Sequence, residues 1–590
     1  MVETEEPIGW TPMFQLKVLV LSNCNIKMPN GSGFPRFLLH QYKLKKLDMS
    51  DNSLKGQFPD WLIKNNTMLE VVILRNNSFD NISFMSFYRN PSTRWMDMSE
   101  NRLRGVIPAN IQKYVPYINL LNLSRNSLEG SIPSSLGDLN ELEILDLSHN
   151  QLSGEVPTAL FTNLPRLTTL KLSNNSLHGE VLSGYLNVSN IDILCLDSNS
   201  FTGKVGNKST FSELSRLDIS SNLFTGVIPD WISNISTLSE LVVKNNSLRG
   251  QFPCGGAPFF FLDISQNYFS GVIPSCLNFQ NLEYLHLGSN KFTGPIPSSF
   301  RNLTSVITLD IGNNYLSSSI PEFFGELSNL RILILRKNNF NGSIPKELCQ
   351  LTNASLIDLS VNSLSGSIPS CLQNIKGPRY DAYMDITILD TGKFSYRYLS
   401  NLSKDSGLQL QGESELADIP DEVLFTTKSL SLTYKGGPLN IMSGLDISCN
   451  KLTGDIPEEL GLLTQIHVLN LSHNRLTGPI PAKFSNLANI ESLDLSFNRL
   501  TGEVPSELVK LNSLAVFNVS FNNLSGRLPE TKAQFGTFGK ESYEGNPLLC
   551  GLPSLQEITI FSGDTISGDR PNVAAIGRSA SRSLKPNLSR

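Results

Sequence analysis

The 590-residue chain contains no run of 18 or more apolar residues, so no segment as written is long enough for a membrane-spanning helix. It has no basic excess either. Its 48 Lys and Arg against 53 Asp and Glu leave a net charge of −5, which argues against a nucleic-acid partner held by a basic patch. Histidine is scarce, with six in the chain. His40, His149, His178, His286, His467 and His473 form no HExxH and no pair at metal-ligand spacing, so no metal is expected. No GxSxG elbow and no GxGxxG is present. GKVGNKST, Gly203 to Thr210, has Lys208 where a phosphate loop needs its second glycine and reads as a loop between repeats. No enzyme and no cofactor is expected. The opening MVETEEPIGW is acidic and lacks the apolar stretch of a secretion signal.

What the chain has is a period. Leu142 to Pro157 reads LEILDLSHNQLSGEVP, one instance of LxxLxLxxNxLxGxIP with Val for Ile. Aligned on the asparagine, the pattern runs from Asn52 to Asn362 and resumes from Asn450 to Asn522, mostly in steps of 23 to 25 residues. A further unit has Cys24 in the asparagine slot, which makes nineteen. This is the signature of a leucine-rich repeat. The alternation Leu145, Asp146, Leu147 predicts a short strand with one buried face, and stacked coils place such strands in one parallel sheet. Leu142, Leu145, Leu147 and Leu152 point inward. The ladder asparagine needs its amide bonded, to backbone of its own turn and the next. Gly154 suits a tight turn and Pro157 a strand end. A single coil cannot bury its own apolar face, but a stack of them can. Asp48, Asp97, Asp146, Asp218, Asp263, Asp310, Asp358, Asp446 and Asp494 fall on the exposed strand position by the same pattern, so the column is a product of the repeat rather than an acid–base site.

LTGDIP (Leu452–Pro457), LTGPIP (Leu476–Pro481) and LSGSIP (Leu364–Pro369) resemble the plant extracellular class of these repeats over roughly residues 13 to 553. The resemblance implies a second short sheet and a superhelical twist. The expected fold is an α/β-type repeat solenoid with a parallel concave β-sheet, interrupted by one island. Asn362 and Asn450 are 88 residues apart, about 64 more than one period. The expected organisation is a leader at 1–12, repeats 1–15 at 13–372, the island at 373–441, repeats 16–19 at 442–529, a partial cap at 530–553 and a disordered tail at 554–590. Tyr380, Tyr383, Phe394, Tyr396 and Tyr398 give the island material for a small core. An island followed by about four repeats and GNPLLCG is similar to a plant receptor-like protein, a kinase-less cell-surface receptor. That family implies signalling in immunity or development through co-receptor and adaptor kinase ectodomains at the plasma membrane. Two alternatives remain: a secreted polygalacturonase-inhibitor-like repeat acting as inhibitor or decoy, which lacks an island, and a receptor-kinase ectodomain fragment. The family continues from GNPxLCG into a second cysteine and a membrane helix. The chain is accordingly expected to be truncated at both ends, with no membrane insertion as written and a first coil that frays.

Eight cysteines are present. Cys254 and Cys276 are 22 residues apart, as are Cys349 and Cys371. Nearly one period brings each pair onto adjacent coils, and both are expected as disulfides. Cys24 is expected as a buried free thiol. Cys195 is placed on the solvent side of its strand, and neither it, Cys449 nor Cys550 has an evident partner. Eighteen N-x-S/T sequons fit a secreted glycoprotein, although the repeat's own composition supplies some. Asn30, Asn81, Asn187, Asn234, Asn302, Asn341, Asn401 and Asn523 are the candidate acceptors. In NNS at Asn76, Asn174 and Asn245 the sequon asparagine precedes the ladder asparagine and can be exposed.

Departures from LDLSxN mark a candidate binding face. Lys171, Cys195, Val242, His286 and Ile334 take the usual Asp or Asn position, and Lys244, Tyr284, Arg336 and Lys337 lie nearby on the same face. A peptide, a protein or an oligosaccharide could bind there. By resemblance, Tyr434, Lys435 and Gly436 match the family's island motif. With Asn470, His473, Phe497, Asn518 and Phe521 on the adjoining sheet, they are the candidate co-receptor contact. Phe497 and Phe521 are exposed by pattern, which a lone solenoid does not need.

Overall fold

A computed structural model describes residues 12–26, 34–58, 60–81, 89–182, 190–206, 211–276, 280–375, 421–428, 430–529 and 533–551. Each repeat contributes three strand residues, from Val18–Val20 in the first coil to Val516–Asn518 in the last. They form one 19-stranded sheet, parallel throughout and in constant register, as in Leu121, Leu145 and Leu170 side by side. Leu356–Asp358 of the fifteenth coil pairs directly with Gly444–Asp446 of the sixteenth, so the stack is continuous across the interruption. A second set of strands runs beside the first, seven from Lys55–Gln57 to Ser200–Phe201 and nine from Thr225–Gly226 to Arg475–Thr477. Gly154 has φ +83° there, a conformation an L side chain resists. Short 3-10 segments close most coils on the other side, most of them started by the proline of the repeat, such as Pro133 before Ser134–Asp138.

The core is one column of Leu, Ile and Phe running through the stack. The ladder asparagines line it and are fully bonded. Asn150 Nδ2 donates to the carbonyls of Leu123 at 3.0 Å, Leu147 at 3.1 Å and Ser148 at 3.2 Å, while its Oδ1 accepts from Leu128 N at 3.0 Å. The neighbouring turn bonded is therefore the preceding one, not the next. A twentieth ladder position closes the stack. Asn546 of GNPLLCG donates to Val519 O and Tyr543 O, both at 2.9 Å, and accepts from Leu524 N at 3.0 Å. Phe535, Phe538 and Tyr543 pack around Phe517 of the last coil, and Leu548–Cys550 pairs with Ser525–Arg527, so the end of the core is covered. At the other end Leu16, Leu19 and Leu21 are partly buried against the core.

Cys254–Cys276 and Cys349–Cys371 are disulfides, each with Cα atoms 5.5 Å apart. Cys24 is free but half-buried rather than buried; its thiol donates to Ser22 O at 3.4 Å. Cys195 is buried, not solvent-facing, because the flanking strands close over it. Burial pushes its thiol up to about 12. Cys449 and Cys550 are free and exposed. Asn76, Asn174, Asn234, Asn245, Asn302, Asn341 and Asn523 are exposed and Asn81 half-buried. Asn30, Asn187, Asn401 and the island tyrosines and phenylalanine from Tyr380 to Tyr398 lie outside the described residues, as do most of the leader and the tail.

Candidate ligand-recognition surface

The aspartate column is not exposed. Asp97, Asp146, Asp218, Asp263, Asp358 and Asp446 are buried. The cause is the serine two residues on: Asp97 Oδ1 accepts from Ser99 N at 2.9 Å and Ser99 Oγ at 2.6 Å, and Asp358 does the same with Ser360. Each carboxylate caps the turn leaving its strand, while neighbouring strands cover it from both sides. Burial raises Asp97, Asp310 and Asp358 above the usual carboxylate range and pushes Asp218 and Asp446 up to about 7. Asn470 and Asn518 serve as the same cap, accepting from Ser472 N at 3.1 Å and Ser520 N at 3.0 Å.

The island returns over this concave face. Glu422–Thr427 and Leu430–Lys435 form an antiparallel hairpin, followed by the short helix Gly437–Ile441. Gly436 turns between them at φ +58°. Val423, Phe425 and Leu439 bury themselves on Ile332, Ile334, Leu356 and Val468, with Tyr434 and Met442 at the edge. Gly444 makes room: a β-carbon there would stand 2.6 Å from the Phe425 ring. Polar contacts ring this cluster. Lys244 Nζ meets Glu422 Oε1 at 2.7 Å, His286 Nε2 meets Asp421 Oδ1 at 3.0 Å, and Thr308 Oγ1 donates to Asp421 Oδ2 at 2.6 Å. Arg336 Nη1 reaches Thr426 Oγ1 at 3.4 Å, and Lys428 Nζ meets Glu491 Oε2 at 2.8 Å. Although burial opposes it, the hydrogen bond and charge of Asp421, with Asp263 and Asp310 beside it, lift His286 to about 9.

The departures from the repeat are thus brought together, but largely as the seat of the island. Lys244, His286, Ile334 and Arg336 contact it directly, and Val242 is buried beside them. Tyr284 is half-buried between Phe260 and Phe261, and Lys171 is half-buried five coils earlier. Lys337 does not share the face: it sits exposed in the turn after its strand, at φ +53°. In the island motif, Tyr434 OH bonds Thr427 Oγ1 at 2.7 Å and Lys435 Nζ lies 3.8 Å from Glu422, so both hold the hairpin together.

One feature escaped the sequence reading, and another was named by its residues, His473, Phe497 and Phe521, but placed on the sheet instead of the turn that follows it. The first is a second concave column. Val71, Trp95, Leu120, Ile144, Thr169 and Ile193 stand side by side in register on the outward side of their strands. Ile332, Leu356 and Val468 continue that column where Val423 and Phe425 cover it. The signal was present as apolar residues two before the capping position in VVIL, WMDM and LLNL, held by Ile73, Asp97 and Asn122. The other is a rim column. The residue before each ladder asparagine has positive φ. It is polar from Asn23 through Lys337, and then becomes Val361, Cys449, His473, Phe497 and Phe521. His473 stacks on Phe497 at 4.3 Å and Phe497 on Phe521 at 4.4 Å, and both phenylalanines stay exposed. Phenylalanine is an unusual occupant of a left-handed position.

Leucine-rich repeat family models match residues 43–65, 117–139, 141–163, 213–235, 281–303, 305–327, 329–351, 443–463 and 464–524. The chain is built of leucine-rich repeats. The sequences it matches are plant receptor-like proteins. It is 78% identical over 138 residues to Cuscuta receptor 1 of Solanum lycopersicum, covering 23% of this chain and 12% of that protein. It is 49% identical over 78 residues to Receptor-like protein 13 of Arabidopsis thaliana, covering 13% and 7%. The matches thus span only a small part of either relative's length. Among solved structures, the ectodomain of the Arabidopsis receptor kinase HAESA, in complex with the peptide hormone IDA and the co-receptor SERK1, aligns over 91% of both chains with a TM-score of 0.55 and 26% identity. Among the described residues no helix is long and apolar enough to cross a membrane.

Proposed function

We propose that this chain is a ligand-recognition ectodomain of the receptor-like type, which takes an extended peptide along the concave column from Val71 to Ile193. The observation that carries this is internal. On the same column, at Ile332, Leu356 and Val468, the chain's own hairpin strand lies with Val423 and Phe425 inserted. An extended segment with apolar residues at alternate positions fits the remaining stretch in the same manner. Lys171 and Tyr284 flank the route toward the island. The stacked His473, Phe497 and Phe521 are the co-receptor contact in this reading, because exposed aromatic side chains are favoured at binding hot spots. The HAESA complex, with its peptide hormone and co-receptor, supports both parts by analogy of fold. The protein acts at the cell surface and signals through a kinase partner, not through chemistry of its own; its aspartates are occupied as turn caps.

A displayed random-peptide library selected against the full chain tests the peptide site. Enriched peptides should carry apolar residues at alternate positions and lose at least about tenfold in affinity, about 1.4 kcal/mol, against Ile144→Glu/Ile193→Glu. Peptides that bind this folded variant equally well would refute the site.

A further inference from the structure

The lateral sheet carries a surface that neither the peptide column nor the rim uses. One, three and five residues beyond each ladder asparagine the side chains point outward on this sheet. Between Leu223 and Ser367 none of these positions holds a carboxylate. Glu129, Glu155 and Glu180 stand there in the preceding coils, and Asp455 and Glu503 in the following ones. Within the acid-free stretch lies a shallow groove of about 640 Å³ lined by Thr225, Ser247, Arg249, Tyr268, Ser270 and Lys291. The Tyr268 ring is 51% exposed, with Lys291 Nζ 4.9 Å from its centroid. Tyr315 is exposed on the next coil. Neither Arg249 nor Lys291 joins an ion pair among the described residues.

We propose that this lateral groove binds an acidic oligosaccharide, a chain of linked uronic acids. Each part of such a ligand has a counterpart. The C–H face of a sugar ring packs on an exposed aromatic ring such as Tyr268. Its hydroxyls meet Thr225, Ser247 and Ser270. Its carboxylates meet Arg249 and Lys291, which stand two strand spacings apart across the intervening coil, roughly 9–10 Å, and are offset along it from Tyr268 to Ser270. A chain lying along the solenoid axis therefore presents charge to each cation in turn. The absence of carboxylates over seven consecutive coils removes the repulsion that the same rows would exert elsewhere on the sheet. A neutral glycan would need the tyrosine and hydroxyls but neither cation. An acidic peptide would not need the flat aromatic platform beside the hydroxyl row. The site is remote from the concave column, so it does not depend on the peptide reading.

The test is titration of the glycosylated full chain with an oligogalacturonate, its methyl ester and a neutral cello-oligosaccharide of equal length. The oligogalacturonate should bind, more weakly as salt rises, and at least about tenfold more tightly than the other two, about 1.4 kcal/mol. Arg249→Ala/Lys291→Ala should remove that preference, and Tyr268→Ala should weaken binding with the salt dependence retained. All these side chains are exposed, and an unchanged melting temperature certifies the fold of each variant. Equal binding of the three sugars, indifference to the double substitution, or no binding at all would overturn the proposal. So would binding that appears only after enzymatic removal of N-glycans, because the chain's own glycans at Asn245 or Asn341 would then fill the groove.

Discussion

Phe425→Ala should release the island hairpin from the concave face while leaving the solenoid folded. Phe425 is fully buried in a small cluster with Ile332, Ile334, Leu356, Val423, Leu439 and Val468, separate from the main core. Deleting a buried ring costs about 3–5 kcal/mol. A two-stranded hairpin is marginal alone, so its order rests on this docking. The ion pairs cannot replace the ring. His286–Asp421 is almost wholly buried and Lys244–Glu422 largely so, and the desolvation of such pairs offsets much of their attraction. The loss therefore matches or exceeds what docking of one hairpin can supply. The solenoid core keeps every contact, and its coils are stabilised by their neighbours.

Hydrogen exchange reads both halves of this expectation. Amides of 422–427 and 430–435 should exchange far faster in the variant, while Leu333, Ile357 and Leu445, which face the main core, stay protected. Gly444→Ala approaches the same contact from the other side, because its methyl would meet the ring at 2.6 Å. In combination with Phe425→Ala it should add little, since the atom it collides with is gone, and the two effects should be strongly non-additive. Unchanged exchange in the hairpin of Phe425→Ala, or simple additivity in the double variant, would refute the docking argument.

Three further outcomes follow from the buried charges, the thiols and the rim. Asp218 and Asp446 have folded values near 7 against roughly 3.9 unfolded, so the folded chain retains protons the unfolded chain releases, and stability should fall as pH rises from about 4 to 7. His286, held near 9 against roughly 6.5 unfolded, contributes below about 6.5 and loses its contribution as pH rises through 9. His149, lowered by burial and Arg125, works the other way below about 6.5, but alone; melting temperatures should therefore be higher at pH 5 than at pH 8, and the reverse order would contradict the assignment. Under native conditions a maleimide should label Cys449 and Cys550 quickly and Cys195 only on unfolding, as mass spectrometry of labelled peptides will show. Phe497→Asn/Phe521→Asn should leave stability unchanged or slightly raised, because Asn tolerates positive φ, yet abolish capture of a co-receptor ectodomain; retained capture would move that contact elsewhere.

The solenoid was legible because its determinants are local and repeated. Leu145, Leu147, Asn150 and Gly154 each act within one coil or its neighbour, so one consensus fixes strand, ladder and turn nineteen times over. The twentieth ladder position, Asn546, was missed because SYEGN retains the asparagine without the LxLxx strand before it. The aspartates and Cys195 were misplaced because alternation tells which side of a strand a residue leaves, not how deeply its parallel neighbours, and for most of the aspartates a serine two residues on, will cover it. Lys337 was misplaced because the position before the ladder asparagine leaves the strand in a left-handed turn, which alternation does not register. The seat of the island was beyond reach of the period, since Lys244 and Glu422 are 178 residues apart.

That separation explains why the departures clustered where they did. In a one-dimensional stack each coil is constrained only by the coils beside it, and the outward column drifts freely toward capping Asp and Ser. The hairpin breaks this rule by touching coils from Lys244 to Glu491 at once. Every position it meets must then fit one foreign surface. Ile334 replaces a capping Asp where Phe425 needs an apolar floor, His286 and Lys244 supply the charges that Asp421 and Glu422 require, and Gly444 vacates space for a ring. These substitutions are a footprint, and the partner that made it belongs to the chain itself. The apolar column from Val71 to Ile193 has the same character as the floor under Phe425, and Val71, Ile144, Thr169 and Ile193 on it remain partly exposed. The same reasoning that reads a partner from Ile332, Leu356 and Val468 therefore reads a second partner there, and this is the surface on which a search for the ligand should begin.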